Sequence, residues 1–434
     1  MIRIGRVTGC VVLGLFCMAL ADSIPLRDER PQSGSSQPTF RSSTTLVQVD
    51  VIVLDGRGDF VPGLTADDLT ILEDGRPQKI QQFFLVAHER AAYSSTLGDE
   101  GAQRYENASQ TEDRAQRVFV VFFDEGHLAN DSLMRVKKGA VQFINAHIGP
   151  GDFGGVFVNG AMYGGRLTAS RTELLAGVHS AVPAFDNRQG LLSAFRQFPR
   201  IPGEIDAVRI AEGGRELAER LALEACREDL FECERTGGLG QVENTIEKKA
   251  RQYVRHARVL TGDTMQNLGY VVSRLSRIPG RKTVVLLSEG FFIEDSRVML
   301  QRIAAQAARG GTAIYSIDGR GLIHGPQGTP DVLSPEPARS TVFDTGEDGP
   351  TILTAGTGGL RLRNIDDISR AFNIIVRDTS TYYVIGYEPD NPTLDGKFRK
   401  IEVKTRIGGL NVRARKGHVA SALPPMEVQR GGRE

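Results

Sequence analysis

Three carboxylates stand where apolar runs of the chain end, and an imidazole lies beside one of them. Asp124 follows the run 118–123, Glu289 follows 283–287 and Ser288, and Asp318 follows 312–317. His127 is three residues beyond Asp124. Carboxylates gathered in one place push their pKa values apart, which is what general acid–base hydrolysis needs. The same groups are hard oxygen donors suited to Mg²⁺ or Ca²⁺, and Asp124, Asp131 and Glu289 are the candidate ligands. A plainer role is open to them as well, since carboxylates at strand ends accept hydrogen bonds from helix N-termini. The chain contains no G-x-S-x-G, no H-E-x-x-H and no P-loop. Without a nucleophile motif a hydrolase-like enzyme using Asp124 and Glu289 is the alternative, and a non-enzymatic chain is the preferred reading.

These carboxylates must be placed by the elements around them. A strand with no polar alternation is covered on both faces, as in a parallel sheet between helices. The run 118–123 is of that kind. It leads into helical spacing at Leu133, Val136, Ala140, Val141 and Ile144 and then into a second apolar run, 153–158. Strand, helix and strand in this order make a βαβ unit with a right-handed crossover. A short antiparallel edge strand is expected over 162–168. The pattern recurs with strands at 283–287 and 312–317, a helix over 295–309, and a helix capped by Asn364 that turns Ile365, Ile368, Phe372 and Ile375 inward. The expected fold class is α/β, a doubly wound, mostly parallel sheet, with Asp124 and Glu289 flanking its topological switch point. A long loop is expected over 319–353.

The flanks differ in character. Arg3 and Arg6, an apolar stretch over 7–20 and Ala19-Leu20-Ala21 read as a signal peptide, 1–21. The mature chain is then expected to be secreted or periplasmic, with no transmembrane segment left. A polar leader, 22–43, is expected to be disordered. Residues 44–87 form a β module opened by Val47, Val49, Val51 and Val53 in alternation, with a capping box at Thr65–Asp68. Strands 70–73 and 79–86 are expected to form a hairpin about Asp74-Gly75. A linker, 88–116, precedes the α/β domain, 117–378. Within that domain a charged helical insertion, 183–262, is either a partner-binding platform or a solvated cover. In an oxidising compartment Cys226 and Cys233 are expected to pair. The segment 379–418 alternates again, with Gly408-Gly409 as a tight hairpin. It is expected to join 44–87 in one β-sandwich-like module, ahead of a disordered tail, 419–434. With 53 basic and 53 acidic residues, charge-driven nucleic-acid binding is excluded.

Five segments in fixed order resemble one family: VQVDVIVLDGRGDFVPGLTADDLTILEDGRPQKIQQF, VFVVFFDEGHL, IPGRKTVVLLSEG, TGG at 357–359, and YYVIGYEP followed by DGKFRKIEVK. Together they look like a von Willebrand factor A-related domain protein of the exported bacterial type. The resemblance covers nearly all of the mature chain and implies a doubly wound sheet that binds other macromolecules, often through a metal ion. The family holds that ion with Asp-x-Ser-x-Ser at the first strand's end, a later Thr, and an Asp at the end of the fourth strand. Here Asp124 matches, but Gly126 and Leu128 replace both hydroxyls, and Ser288-Glu289-Gly290 stands where the family often has Asp-Gly. The motif is degenerate, so no cofactor is expected; a divalent cation would need oxygens lent by Asp131 or Glu125. The expected binding surface is Asp124, Glu125, Gly126, His127, Leu128, Ser288, Glu289 and Asp318. Its expected partner is another protein or a cell-surface macromolecule. The alternative is a scaffold that binds through edge strands of the β module.

Overall fold

A computed structural model describes residues 46–87, 117–184, 187–278, 280–291, 296–322 and 348–420. The expected signal peptide, leader, linker and most of the tail lie outside these residues. The chain enters through β1 (Val47–Leu54), whose alternating valines turn inward: Val49, Val51 and Val53 are fully buried. Asp55 ends the strand by accepting from Arg57 N and Asp59 N. Asp68 Oδ2 accepts from Thr65 N at 2.7 Å, closing a single helical turn. β2 (Leu69–Glu73) and β3 (Arg76–Gln78) then pair across Asp74 and Gly75, both at positive φ as a tight hairpin turn requires. The expected partner of β2 is the strand over 79–86. That strand, β4 (Ile80–Ala87), instead leaves β2 and runs in a different sheet.

The middle of the chain builds the parallel sheet. Its first part is β5 (Val118–Phe123), α1 (Asn130–His147), β6 (Phe153–Val158), β7 (Ala161–Met162) and α2 (Arg171–Ser180). The expected edge strand over 162–168 shrinks to β7 and one bridge from Thr168 to Gly154. The insertion follows as α3 (Arg188–Phe195), α4 (Glu204–Ala211), α5 (Arg215–Glu228), α6 (Leu230–Thr236) and the first half of α7 (Leu239–Leu275). It has a core of its own, with Phe195, Ile210, Leu221, Val242 and Ile246 buried together. The Cys226–Cys233 disulfide joins α5 to α6. Lys249 Nζ donates to the carbonyls of Ala194, Gln197, Phe198 and Pro199, gathering the end of α3 onto α7.

The sheet resumes with β8 (Lys282–Ser288), α8 (Arg297–Arg309), β9 (Thr312–Asp318), α9 (Asp348–Thr357), β10 (Arg361–Leu362) and α10 (Ile368–Ser380). Two expectations are corrected here. Residues 348–353, within the expected loop, open a helix that runs to Thr357. The last helix starts at Ile368, capped by Asp367, whose carboxylate accepts from Ser369 N at 2.9 Å; Asn364 is not its cap. Strand order is β10-β9-β8-β5-β6-β7, parallel except for β7, and the chain switches from winding outward on one side to winding outward on the other between β5 and β8. Phe119, Val121 and Phe123 pack with α1, α2 and α10. Val118, Val120 and Phe122 pack on the other face with the second half of α7, α8 and α9. The α/β class and the parallel sheet are therefore as the apolar runs imply.

The last strands return to the first ones. These are β11 (Thr381–Tyr387), β12 (Phe398–Thr405), β13 (Asn411–Ala414) and β14 (Gly417–Val419). Two antiparallel sheets result, ordered β13-β1-β11-β4 and β14-β12-β2-β3. Val49, Val51, Ile71, Tyr383, Ile385 and Ile401 share one core. Gly408-Gly409 is not a hairpin turn: β12 pairs with β2 and β13 with β1, so the glycines carry the chain from one sheet to the other. The expected tail boundary at 419 also moves, because β14 runs through Val419 and Ala420 is buried.

Thr357-Gly358-Gly359 has a packing reason. Thr357 Oγ1 accepts from Ile314 N at 2.9 Å, Gly358 takes φ +78°, and Gly359 meets β9 backbone to backbone. A Cβ on Gly359 would stand 2.0 Å from Ile314 O. Gly359→Ala is expected to lower stability by roughly 2–4 kcal/mol, read as a fall in the urea midpoint at unchanged m-value.

Candidate functional site

At the carboxyl end of β5 the chain must bury a charge. Asp124 is 3% exposed, and a carboxylate that deep persists only if its oxygens are satisfied. Oδ2 accepts from Ser288 Oγ at 2.7 Å. Oδ1 accepts from Thr264 Oγ1 at 2.7 Å and lies 3.0 Å from His127 Nδ1. The three partners come from β8, α7 and the loop after β5, so one side chain ties the switch point to the helix that crosses it. Burial pushes the Asp124 carboxyl up; the facing imidazole and the three hydrogen bonds outweigh that and hold it below the usual carboxylate range.

The other carboxylates are engaged as well. Glu289 Oε1 accepts from Ala129 N at 2.8 Å, capping the N-terminus of α1. Asp318 forms a bidentate pair with Arg320, at 2.9 Å to Nε and 2.6 Å to Nη2. Glu125 accepts from Asn159 N at 2.6 Å and Val182 N at 3.1 Å. Burial pushes the Glu125 carboxyl up, against the pull of these two amides. Asp131 is exposed on the first turn of α1, and no described bond joins it to Asp124 or Glu289.

The insertion covers this end of the sheet. Arg188 N donates to Gly126 O at 2.9 Å, and Arg188 Nη1 reaches Glu289 O at 3.4 Å. Arg188 is itself held by Glu204, bidentate at 3.0 and 2.7 Å, and Glu204 in turn accepts from the Tyr253 hydroxyl. A Cβ on Gly126 would lie 3.2 Å from Leu260 Cδ2 of α7, so the loop can run beneath that helix because this residue is glycine. Of the eight residues expected to form a surface, Asp124, His127, Leu128, Ser288 and Asp318 are buried. They present nothing to a partner, and the surface expectation is corrected for these five. Glu125, Gly126 and Glu289 remain partly exposed at the rim.

These residues do not fit a divalent cation. Both oxygens of Asp124 are taken by side-chain donors, Gly126 offers no oxygen, and Leu128 belongs to the hydrophobic core. A Mg²⁺ site needs near-octahedral oxygens converging on one point. No group of three or more His, Cys, Asp or Glu side chains among the described residues is disposed to hold a metal ion. Two members of the site, Thr264 and Arg188, carry no motif in the sequence. The one available signal was the pair Thr261 and Thr264, polar residues on the buried stripe of an otherwise apolar helix face.

No known family description and no curated protein matches the chain. Among solved structures it is similar to an aerotolerance-related membrane protein from Bacteroides fragilis NCTC 9343. Identity is 14% and the TM-score 0.30, over 60% of this chain and 96% of that one. It is also similar to the conserved hypothetical protein BatB from Bacteroides thetaiotaomicron, with 13% identity and a TM-score of 0.29, over 61% and 97%.

Asp124→Asn retains the shape but removes the charge and one acceptor. The expected loss at pH 7 is roughly 2–4 kcal/mol, because a buried donor is left without a partner. The sign with pH follows from the depressed folded pKa. The wild-type advantage is fully present above the unfolded Asp value of about 3.9 and disappears as pH falls through the lower folded value. Urea unfolding of both proteins from pH 7 into acid should show the gap closing below about pH 4; a gap of constant size would contradict the assignment.

Proposed function

We propose that this chain is a non-enzymatic protein-interaction module that works without a metal ion. Its partner is another protein or a cell-surface macromolecule. The observation that supports this is the use made of the strand-end carboxylates. Asp124 clamps α7, Glu289 caps α1, Asp318 holds Arg320, and Glu125 collects two loop amides. A general acid or base needs a carboxylate that can meet substrate, and a metal site needs lone pairs that converge outward. The export expectation joins this proposal on the strength of residues 1–21, and no helix among the described residues is long and apolar enough to cross a membrane.

Contact is then carried by what covers the sheet. In the insertion, Leu230 is 65% and Phe231 73% exposed at the start of α6, next to the disulfide. Exposed large apolar side chains on a braced helical tip favour the platform reading over a solvated cover. A second reading rests on β4, an edge strand of eight residues with no further strand beside it among the described residues. Such an edge can accept a partner strand.

Calorimetric titration of Mg²⁺, Ca²⁺ and Mn²⁺ into the purified protein should give no saturable heat; saturable binding would restore a metal-dependent mode. Crosslinking capture from the source cells should be indifferent to EDTA and should fall at least roughly tenfold in L230S/F231S, the scale of losing a hot-spot contact. Full capture by that variant would move the contact to the β4 edge.

A further inference from the structure

A sheet edge presents unpaired backbone groups that another strand can use, and short strands, charges, proline and bulges keep an edge from doing so. Among the described residues, the parallel sheet ends in β10 and β7, of two residues each. The antiparallel sheets end in β14 and β3, of three residues each, and β13, of four. β3 also carries Arg76 and Pro77, and β13 carries Arg413. The remaining edge, β4, is different. Its eight residues include no charge and no proline, and Phe83, Phe84 and Leu85 are partly exposed. Lys79 stands just before it. The one protection is a bulge at Gln81, where Ile80 pairs with Tyr387 and Gln82 with Gly386. Beyond the bulge the strand is regular, from Gln82 to Ala87.

The two faces of this regular stretch are distinct. Phe83 and Leu85 turn to the core between the antiparallel sheets, while Phe84 and Val86 lie with Tyr382 and Val384 on the opposite face. A strand added here must keep that alternation, because a slip of one residue exchanges the faces. A second β4 keeps it when laid antiparallel about a two-fold axis perpendicular to the sheet at Phe84. Phe84 then stands opposite its own copy, Phe83 opposite Leu85, and Gln82 opposite Val86. Each residue meets one from its own face, and the overlap 82–86 stays clear of the bulge. Aromatic and aromatic–aliphatic cross-strand pairs are among those that stabilise a sheet, and no like charges oppose one another in this register.

We propose that β4 is a dimer seam, at which two copies of this chain join edge to edge, antiparallel and centred on Phe84. Two four-stranded sheets, each ordered β13-β1-β11-β4, become one continuous sheet. The contact is isologous, so it closes at two copies. It occupies the edge that a foreign strand would otherwise enter and uses no residue of the insertion.

Sedimentation of the full chain from roughly 1 to 100 µM tests this, and a monomer–dimer equilibrium is expected. L230S/F231S should remain dimeric, which separates this seam from the capture surface proposed above. Phe84→Lys and Phe84→Glu each set like charges opposite one another and should weaken the dimer at least roughly tenfold. Mixed together, the two variants should restore it as a heterodimer, because the substituted positions meet across the axis. Should these variants fail to fold, amide exchange of the wild type decides: residues 82–86 should slow as the chain is concentrated. A monomer at every concentration, a monomeric L230S/F231S, folded charge variants without rescue on mixing, or exchange at 82–86 independent of concentration would overturn the proposal.

Discussion

The structure depends on a charge that cannot reach water. A carboxylate at 3% exposure costs several kcal/mol in desolvation unless its lone pairs are filled. Asp124 fills them from three directions, with Ser288 on the neighbouring strand, Thr264 on the crossing helix and His127 on its own loop. Each bond spends a donor that would itself be orphaned by burial, so the four groups are stable together and costly apart. The position that open α/β sheets use for ligands is here a structural junction.

That junction explains why the insertion sits where it does. The second half of α7 belongs to the core of the sheet, the first half to the core of the insertion. Thr264 lies in the sheet-packing half, with Leu260 against Gly126 one turn before it. Arg188 repeats the link from α3, tying the insertion to the loops after β5 and β8. The insertion is thereby part of the same folded body as the sheet, and its exposed side chains are displayed from a fixed frame.

Much of the fold was legible because burial on both faces leaves a mark that needs no partner to read. The apolar runs at β5, β6, β8 and β9 became the parallel strands, and the valine alternation became β1. Corners were less legible. Asp74-Gly75 does turn a hairpin, but its returning strand is β3, while Gly408-Gly409 joins strands of different sheets. Turn chemistry is local, and the choice between hairpin and corner is made by distant strands, here β11 standing between β1 and β4. For the site, the carboxylates were visible and their burial was not. Burial of Asp124 depends on partners far off in the chain, such as Thr264, 140 residues away in a helix of 37 residues.

The length of α7 has a mechanical consequence. From Leu239 to Thr264 is 25 residue steps (264 − 239) of unbroken helix, about 37 Å at the helical rise per residue. A partner that displaced the Leu239 end by about 3 Å would rotate the rod by about 5° around its sheet-packed half. The hydroxyl of Thr264 bonds Asp124 where the sheet-packed half begins, and hydrogen bonds weaken steeply with distance and angle. The helix is in effect a lever whose sheet-packed arm rests on a buried charge, and force applied at the insertion passes the contacts of Lys249 and Tyr253 before it reaches the junction of β5 and β8.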